Sequence, residues 1–257
     1  MLGLENKIVA IAGGSRGIGL ATANRFAKAG ACVVIGSRTE TEFTEAAESI
    51  THSGGKALGL PLDVMSKDSV NLFFERIEQQ FGRLDVLVYC SGTNRRVPAE
   101  EYPEDAWDQV LSTNLKGAYY CCQEAGKRMI NQKEGSIVTI TSMTSHIATP
   151  NQSAYAATKG GLLQYTKVLA VEWGKHNIRV NAVSPGYIET SLNAHNFRNA
   201  AFRDNVLNQM PMGRFGGTDE IANAVCFLAS PMASYITGAC LPVDGGFLAG
   251  HPNIIMQ

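Results

Sequence analysis

Short apolar runs alternate with segments in which apolar residues recur at helical spacing, from one end of the chain to the other. The apolar runs have the length of buried strands, and the intervening segments are long enough for helices. The predicted strands are Ile8–Ala12, Cys32–Gly36, Ala57–Pro61, Leu84–Tyr89, Ser136–Thr141, Arg179–Val183 and Cys240–Val243. The predicted helices are Gly17–Ala29, Glu40–Thr51, Lys67–Phe81, Glu104–Asn131, Ala154–Trp173 and Asp219–Ala229. This alternation predicts βαβ units, and therefore an α/β fold with a parallel sheet covered on both faces.

One segment, residues 188–214, interrupts this rhythm. It is a polar stretch rich in asparagine that lies between a Pro-Gly turn and the last predicted helix. Because long loops in compact domains are usually functional, we expect it to form a loop that acts as a lid. No linker-like, repetitive or low-complexity stretch divides the chain, so residues 1–257 are expected to form a single domain.

The bulk composition narrows the classes of function. The chain has 257 residues, of which 45% are hydrophobic and 18% charged, as in a globular protein with a buried core. The net charge of −1, without a basic block, disfavours nucleic-acid binding. No apolar run could cross a bilayer, and charges at Glu5 and Lys7 argue against a signal peptide. We expect a cytoplasmic protein with reduced cysteines, and no metal site, because His146 and His195 lack partners at ligand spacing.

A glycine-rich turn follows the first predicted strand. Its spacing is Gly-x-x-x-Gly-x-Gly, and glycines there let the backbone approach a pyrophosphate at the N-terminus of the next helix. Its place between the first strand and the first helix predicts a dinucleotide site. The residues expected to contact the dinucleotide here are Gly13, Ser15, Arg16, Gly17, Ile18 and Gly19.

The end of the second predicted strand indicates which dinucleotide is bound. An NAD site places an acid there to accept a hydrogen bond from the ribose 2′-hydroxyl. Here Ser37 and Arg38 follow the strand, and no acid occurs before Glu40. Because Arg38 and Arg16 could both bind a 2′-phosphate, we predict NADP(H).

Tyr155 and Lys159 lie four residues apart, so on a helix they share one face. A phenol titrates near ~10 in isolation, and a nearby ammonium is expected to lower that pKa. The pair would then exchange a proton near neutral pH, as carbonyl/alcohol interconversion requires. Ser142 follows the predicted strand Ser136–Thr141, where functional residues of open α/β sheets collect. A lone pair one turn apart is a weak signal, which the glycine-rich turn strengthens.

Taken together, these motifs resemble the short-chain dehydrogenase/reductase family over essentially the full chain. The matching residues are Gly13, Gly17, Gly19, Asp63, Val64, Asn114, Ser142, Tyr155, Lys159, Asn181–Gly186 and Val243–Gly246. The resemblance implies a single Rossmann-like, doubly wound domain with a seven-stranded parallel sheet. It places the active site at the carboxyl edge of that sheet.

The resemblance also implies a role for each matching residue. Tyr155 would be the acid/base, Ser142 would orient and polarise the substrate carbonyl, and Lys159 would hold the nicotinamide ribose. Asn114 would complete a water-linked proton relay. Further cofactor contacts implied in this way are Asp63, Val64, Gly92, Pro185, Gly186, Ile188 and Thr190.

One motif departs from the family pattern. The family usually has Asn-Asn-Ala-Gly after the fourth strand, whereas this chain has Tyr89-Cys90-Ser91-Gly92. Since that motif braces the backbone near the cofactor, we expect the change to affect local stability and affinity more than catalysis.

Polar loops are predicted to surround the substrate. They favour a hydroxylated or anionic compound over a steroid or a long acyl chain. The segment Gly92–Pro98 resembles the same loop in gluconate 5-dehydrogenases and 2-deoxygluconate 3-dehydrogenases, and Ala170–Ser191 also resembles tropinone reductases. Either Arg95 or Arg96 could bind a sugar-acid carboxylate. The expected substrate contacts are Arg95, Ser142, His146, Asn151 and Tyr155.

Two other functions stay open. One is the reduction of 3-oxoacyl thioesters, which would need a basic surface patch to receive an acyl carrier protein. The other is a non-catalytic cofactor-binding sensor, although such a protein would be expected to have lost Ser142, Tyr155 or Lys159. Surplus apolar residues on two predicted helices indicate a partner helix, and the resemblance implies a homotetramer.

Overall fold

The computed structural model describes residues 2–190 and 199–250. The strands are β1 (Ile8–Ala12), β2 (Cys32–Ser37), β3 (Lys56–Pro61), β4 (Val86–Tyr89), β5 (Gly135–Ile140), β6 (Ile178–Pro185) and β7 (Cys240–Val243). The helices are α1 (Gly17–Lys28), α2 (Glu40–His52), α3 (Lys67–Phe81), α4 (Glu104–Leu111), α5 (Gly117–Gln132), α6 (Ser153–Trp173), α7 (Ala200–Gln209) and α8 (Thr218–Ala229). These bounds agree closely with the predicted elements, except in the two regions described below.

The strands form one sheet in the order β3-β2-β1-β4-β5-β6-β7, with parallel pairing throughout. The predicted Rossmann-like, doubly wound α/β fold with seven parallel strands is confirmed. The strand order reverses beside β1, where β4 pairs with its other edge. The segments that follow β1, β4, β5 and β6 therefore meet at one edge of the sheet, where open α/β folds bind ligands.

The continuous apolar character of the strands follows from burial on both faces. In β1, Ile8, Ala10 and Ala12 belong to one hydrophobic cluster, whereas Val9 and Ile11 belong to the other. Successive side chains of a strand point to opposite faces, so each strand contributes to both clusters. Both faces favour apolar side chains, and the sequence therefore lacks the regular polar/apolar alternation of a half-exposed sheet.

The prediction of one continuous α-helix over residues 104–131 is wrong. A π-turn, Ser112–Lys116, separates α4 from α5 and inserts an extra residue into the spiral. Inside it the buried Asn114 side chain binds the backbone of Thr93, and the Tyr89 hydroxyl donates to the Thr113 carbonyl. Bonds of this kind satisfy groups that a regular helix would pair internally.

The expected loop at 188–214 contains a helix. The Asn199 side chain caps α7 by accepting a hydrogen bond of 3.2 Å from the Phe202 N–H. Among the residues of α7, Val206 is the one that is buried. The sequence of the segment therefore lacks the apolar periodicity from which a helix is predicted. The polar positions Asn193, His195 and Asn196 lie outside the described residues, and a lid function stays a prediction. Within the described ranges, no helix has the length and apolar character needed to span a membrane.

Candidate active site

The turn between β1 and α1 is fixed by short backbone contacts. The N–H groups of Gly13 and Gly14 donate to the Gly36 carbonyl at 2.8 and 3.3 Å, which ties the turn to β2. Gly13 and Gly17 have φ values of 82° and 53°, a left-handed conformation that favours glycine. A Cβ on Gly19 would lie 2.0 Å from the Gly13 carbonyl oxygen. The turn thus presents bare backbone at the N-terminus of α1, which is suited to an anionic group.

A carboxylate that the sequence motifs did not reveal lies beside this turn. The Ser15 hydroxyl donates to Glu42 at 3.1 Å, and the Arg16 guanidinium lies 3.7 Å from the same carboxylate. Arg38 is exposed, whereas the Ser37 hydroxyl oxygen is buried and has no partner among the described residues. Two arginines and an unpaired hydroxyl therefore surround the β2 end of the turn. Glu42 lacks a motif of its own, because only the packing of α2 brings it there.

The side-chain amide of Asn114 joins three parts of the chain. Its nitrogen donates to the Thr93 carbonyl at 2.9 Å and to the Thr158 hydroxyl at 3.1 Å. Its oxygen accepts the Thr93 N–H at 2.8 Å. A Cβ on Gly92 would lie 3.6 Å from both the Asn114 amide oxygen and the Lys159 Nζ. The loop after β4, the π-turn and α6 therefore meet at the predicted residues Gly92, Asn114 and Lys159.

Lys159 is a buried cation with only 4% of its surface exposed. Its Nζ donates to the Ile140 carbonyl at 2.7 Å and lies 5.6 Å from the centre of the Tyr155 ring. Burial lowers the pKa of Lys159 to about 8. The ammonium is still the main form at neutral pH, and a hydrogen-bonding ligand beside it would restore part of its lost solvation.

The Ser142 side chain is close enough to the Tyr155 phenol to influence its pKa. Burial raises the pKa of Tyr155, while Ser142 and the charge of Arg96 oppose the rise. The expected net lowering of the Tyr155 pKa is therefore wrong for this structure. The ammonium donates to Ile140 and faces the ring, so desolvation of the phenol prevails.

Other predicted cofactor contacts lie around the glycine-rich turn. The Thr190 side chain is 3.9 Å from the position that a Cβ on Gly17 would take. Ile188 bridges to Gly216, and Gly186 packs so closely on Asp244 that a Cβ would lie 2.7 Å from its Cα. The segment after β6 thus lies against the start of α1. Farther along the edge, Asp63 accepts the Met65 N–H at 3.0 Å, and Val64 and Ile18 pack in the core clusters.

Of the two neighbouring arginines, Arg96 is the one that acts on the tyrosines of the cleft. Burial raises the pKa of Tyr187, and the charge of Arg96 opposes this rise as it does at Tyr155. The charge of Arg95 acts instead on Tyr102, whose hydroxyl donates to the Arg95 backbone carbonyl at 3.1 Å. The two arginines therefore act on different tyrosines, and Arg96 is the one whose charge reaches Tyr155.

The other two predicted substrate contacts have protein partners. His146 Nε2 lies 3.5 Å from the Cys240 Sγ, which directs the ring towards β7. The Asn151 carbonyl accepts the Val97 N–H at 3.1 Å and so joins two loops of the site. In the ranges 2–190 and 199–250, no group of three or more His, Cys, Asp or Glu side chains is arranged to hold a metal.

Comparison with known proteins identifies the family. A family model described as enoyl-(acyl carrier protein) reductase matches residues 12–248. The 3-oxoacyl-[acyl-carrier-protein] reductase of Thermotoga maritima is 38% identical over 245 residues, which cover 95% of this chain and 99% of that protein. The chain belongs to the short-chain dehydrogenase/reductase family.

Sugar-acid dehydrogenases are also among the similar short-chain dehydrogenases/reductases. Gluconate 5-dehydrogenase of Gluconobacter oxydans is 35% identical over 236 residues, with 92% of each chain covered. A crystal structure of gluconate 5-dehydrogenase from Burkholderia cenocepacia, in complex with NADP and tartrate, superimposes with a TM-score of 0.94. It is 34% identical, and the match covers 97% of this chain and 98% of that one.

Short-chain dehydrogenases/reductases are oxidoreductases that use nicotinamide cofactors, and this chain is an enzyme of that family. The site fits such a cofactor. The glycine turn leaves room for a pyrophosphate, and the unpaired hydroxyl of Ser37 can take up a ligand bond at the β2 end. The resemblance inferred from the motifs is confirmed.

We expect Gly19→Ala to weaken nicotinamide dinucleotide binding at least tenfold, or about 1.4 kcal/mol. The added methyl would overlap the Gly13 carbonyl and force the turn open. Fluorescence titration of the folded variant measures the Kd. Gly174→Ala is the matched control, because no atom lies within 4 Å of its Cβ position. An unchanged Kd in Gly19→Ala would contradict the role of the turn.

Proposed function

We propose that this enzyme interconverts a carbonyl and a secondary alcohol on a small polar substrate, with NADP(H) as its cofactor. A keto-sugar acid or a polyol has the required chemistry. The observation that carries the proposal is that Ser142 and Tyr155 lie together beside the buried ammonium of Lys159. Such a group of donors can stabilise an oxygen that gains negative charge.

Tyr155 and Ser142 would act on the substrate oxygen. Bound reduced nicotinamide supplies a hydride to the carbonyl carbon, which leaves negative charge on that oxygen. Both hydroxyls donate towards the oxygen, and Tyr155 then transfers its proton to it. Because burial raises its pKa, Tyr155 keeps this proton through neutral pH. The Lys159 charge stabilises the phenolate that remains, and in the oxidative direction Tyr155 accepts the proton.

Asn114 would contribute by holding the loop after β4 and α6 in place. Its side-chain amide uses both hydrogens and its oxygen on Thr93 and Thr158. The side chain therefore has no proton to exchange with the substrate. A water-linked relay at this position would use the backbone of the π-turn instead.

The preference for NADP(H) rests on the β2 end of the glycine turn. Arg16 lies in the glycine turn, directly before α1, and Arg38 directly follows β2. Both side chains are exposed and could bind a 2′-phosphate. The gluconate 5-dehydrogenase complex with NADP supports the same cofactor. Glu42 binds Arg16, so the phosphate would displace an existing ion pair at the surface.

The proposed substrate class rests on Arg96. A cation whose charge acts on both Tyr155 and Tyr187 could hold a carboxylate while the carbonyl meets the proposed catalytic hydroxyls. The relatives that act on gluconate, and the structure that contains tartrate, support a hydroxy acid. Reduction of 3-oxoacyl thioesters is a second candidate, favoured by the relative from Thermotoga maritima.

We further propose a homotetramer. Val168 and Val171 of α6 are 41% and 83% exposed and lie one turn apart. The same helix contributes Tyr165 to a groove of about 500 Å³ between α4, α5 and α6, lined in part by Leu111 and Leu115. Tyr235, before β7, is a further exposed apolar side chain. Two such surfaces suit two kinds of twofold interface, and a monomeric mass by light scattering at micromolar concentration would contradict the proposal.

We expect Tyr155→Phe to lower kcat by about 10²-fold or more, because the proton donor is lost. The Kd for NADPH should stay near that of the parent enzyme. Tyr165→Phe serves as the control, since this tyrosine lies in the groove on the outer face of α6. Retained turnover in Tyr155→Phe would remove the mechanism.

Arg38→Asp is expected to shift the cofactor preference towards NADH. The carboxylate would repel a 2′-phosphate and could accept a hydrogen bond from a 2′-hydroxyl. The ratio of kcat/KM for NADPH to that for NADH measures the shift. Equal or better kcat/KM with NADH in the parent enzyme would overturn the cofactor proposal.

Arg96→Ala should raise KM for a keto acid about tenfold while kcat changes little, because a carboxylate contact contributes mainly to binding. A neutral polyol oxidised by the same enzyme should be unaffected. Arg95→Ala is the matched control and should retain the parent KM. A larger effect at Arg95 than at Arg96 would reverse the assignment.

A further inference from the structure

Tyr89 stands at the end of β4, where the family usually has the first asparagine of its Asn-Asn-Ala-Gly motif. The side chain is completely buried, and its hydroxyl donates to the backbone carbonyl of Thr113. Thr113 lies in the π-turn, directly before Asn114. The departure from the family pattern therefore contacts the part of the chain that carries a residue of the active site.

Gly117 leaves the space that this hydroxyl occupies. A Cβ at Gly117 would lie 2.6 Å from the Tyr89 hydroxyl oxygen and 2.9 Å from the Val64 backbone oxygen. Any larger residue would displace the phenol from the Thr113 carbonyl. The tyrosine and the glycine are thus complementary in size.

The hydroxyl is a permanent donor. Burial raises the pKa of Tyr89 well above its ordinary value, so the proton stays on the oxygen at all pH values at which enzymes work. A π-turn leaves a carbonyl outside the regular hydrogen-bond pattern, and a buried carbonyl without a partner is costly. The Tyr89 bond stabilises the turn against a return to regular α-helix.

We propose that Tyr89 is a positioning residue, which holds the π-turn so that Asn114 can brace Thr93 and Thr158 beside Lys159. The proposal rests on the proposed function for its effect on catalysis. The structural part of the proposal, that Tyr89 holds the π-turn, does not depend on the catalytic function. Without the Tyr89 hydroxyl, the turn would relax and the three hydrogen bonds of Asn114 would lose their geometry.

Tyr89→Phe removes one hydroxyl and keeps the ring in the core. We expect kcat to fall about tenfold, equivalent to about 1.4 kcal/mol, with KM and the Kd for NADPH nearly unchanged. A displaced catalytic group lowers kcat in this way, because a small misplacement acts on the transition state. Ile77→Val is the control, since Ile77 is buried in the same hydrophobic cluster and lies in α3. It should lower the Tm by a few degrees and leave kcat unchanged.

Hydrogen exchange of the protein without cofactor gives a readout that does not depend on activity. Amides of residues 112–117 should exchange faster in Tyr89→Phe than in the parent, whereas those of β5 should not. Gly117→Ala should have the same effect, because its methyl would displace the same hydroxyl. The two substitutions combined should cost less than the sum of their separate effects on kcat.

Faster exchange together with a lower kcat supports the positioning role. A parent-like kcat in Tyr89→Phe overturns it, whether or not stability falls, because Tyr89 would then serve the core alone. Parent-like exchange at 112–117 also overturns it. Should the parent enzyme turn over no carbonyl substrate, the proposed function fails, and the exchange experiment alone decides whether Tyr89 holds the turn.

Discussion

The side-chain amide of Asn114 is the contact on which the site depends. Its three hydrogen bonds join the loop after β4 to α6 through Thr93 and Thr158. No regular helix provides them, because an α-helix would carry the residue past this position without the extra residue of the π-turn. The helix is irregular where the amide must reach two other elements, and the same junction brings Gly92 next to Lys159.

Desolvation governs the ionisation of the proposed catalytic pair, Tyr155 and Lys159. Burial raises the pKa of Tyr155 and lowers that of Lys159, so each group moves towards its neutral form. In the proposed mechanism Tyr155 is thereby a proton donor at rest, and its phenolate needs stabilisation only after the proton has left. Lys159, whose Nζ lies 5.6 Å from the centre of the ring, would supply that stabilisation. The electrostatics therefore favour proton transfer when charge develops on a substrate oxygen, and not before.

The sequence predicts the sheet and the glycine turn well, for physical reasons. Strands buried on both faces are mainly apolar, as Val33–Ile35 are, and the left-handed φ angles of the turn favour glycine locally. The π-turn is hidden, because one extra residue hardly alters a helical period. The contact between Glu42 and Arg16 depends on how α2 packs, which no local pattern encodes. Arg95 and Arg96 are alike in sequence, and only the path of the loop decides which one acts on Tyr155.

In the proposed function the polar loops around the site select the substrate, and a comparison of two substrates separates the two candidate reactions most directly. The measurement is NADPH oxidation by the parent enzyme, followed by absorbance, with 5-ketogluconate and with an acetoacetyl thioester at matched concentrations. We expect a higher kcat/KM for the keto acid, since a carboxylate can bind Arg96. A higher kcat/KM for the thioester, or no oxidation of NADPH with any polar ketone, would contradict it.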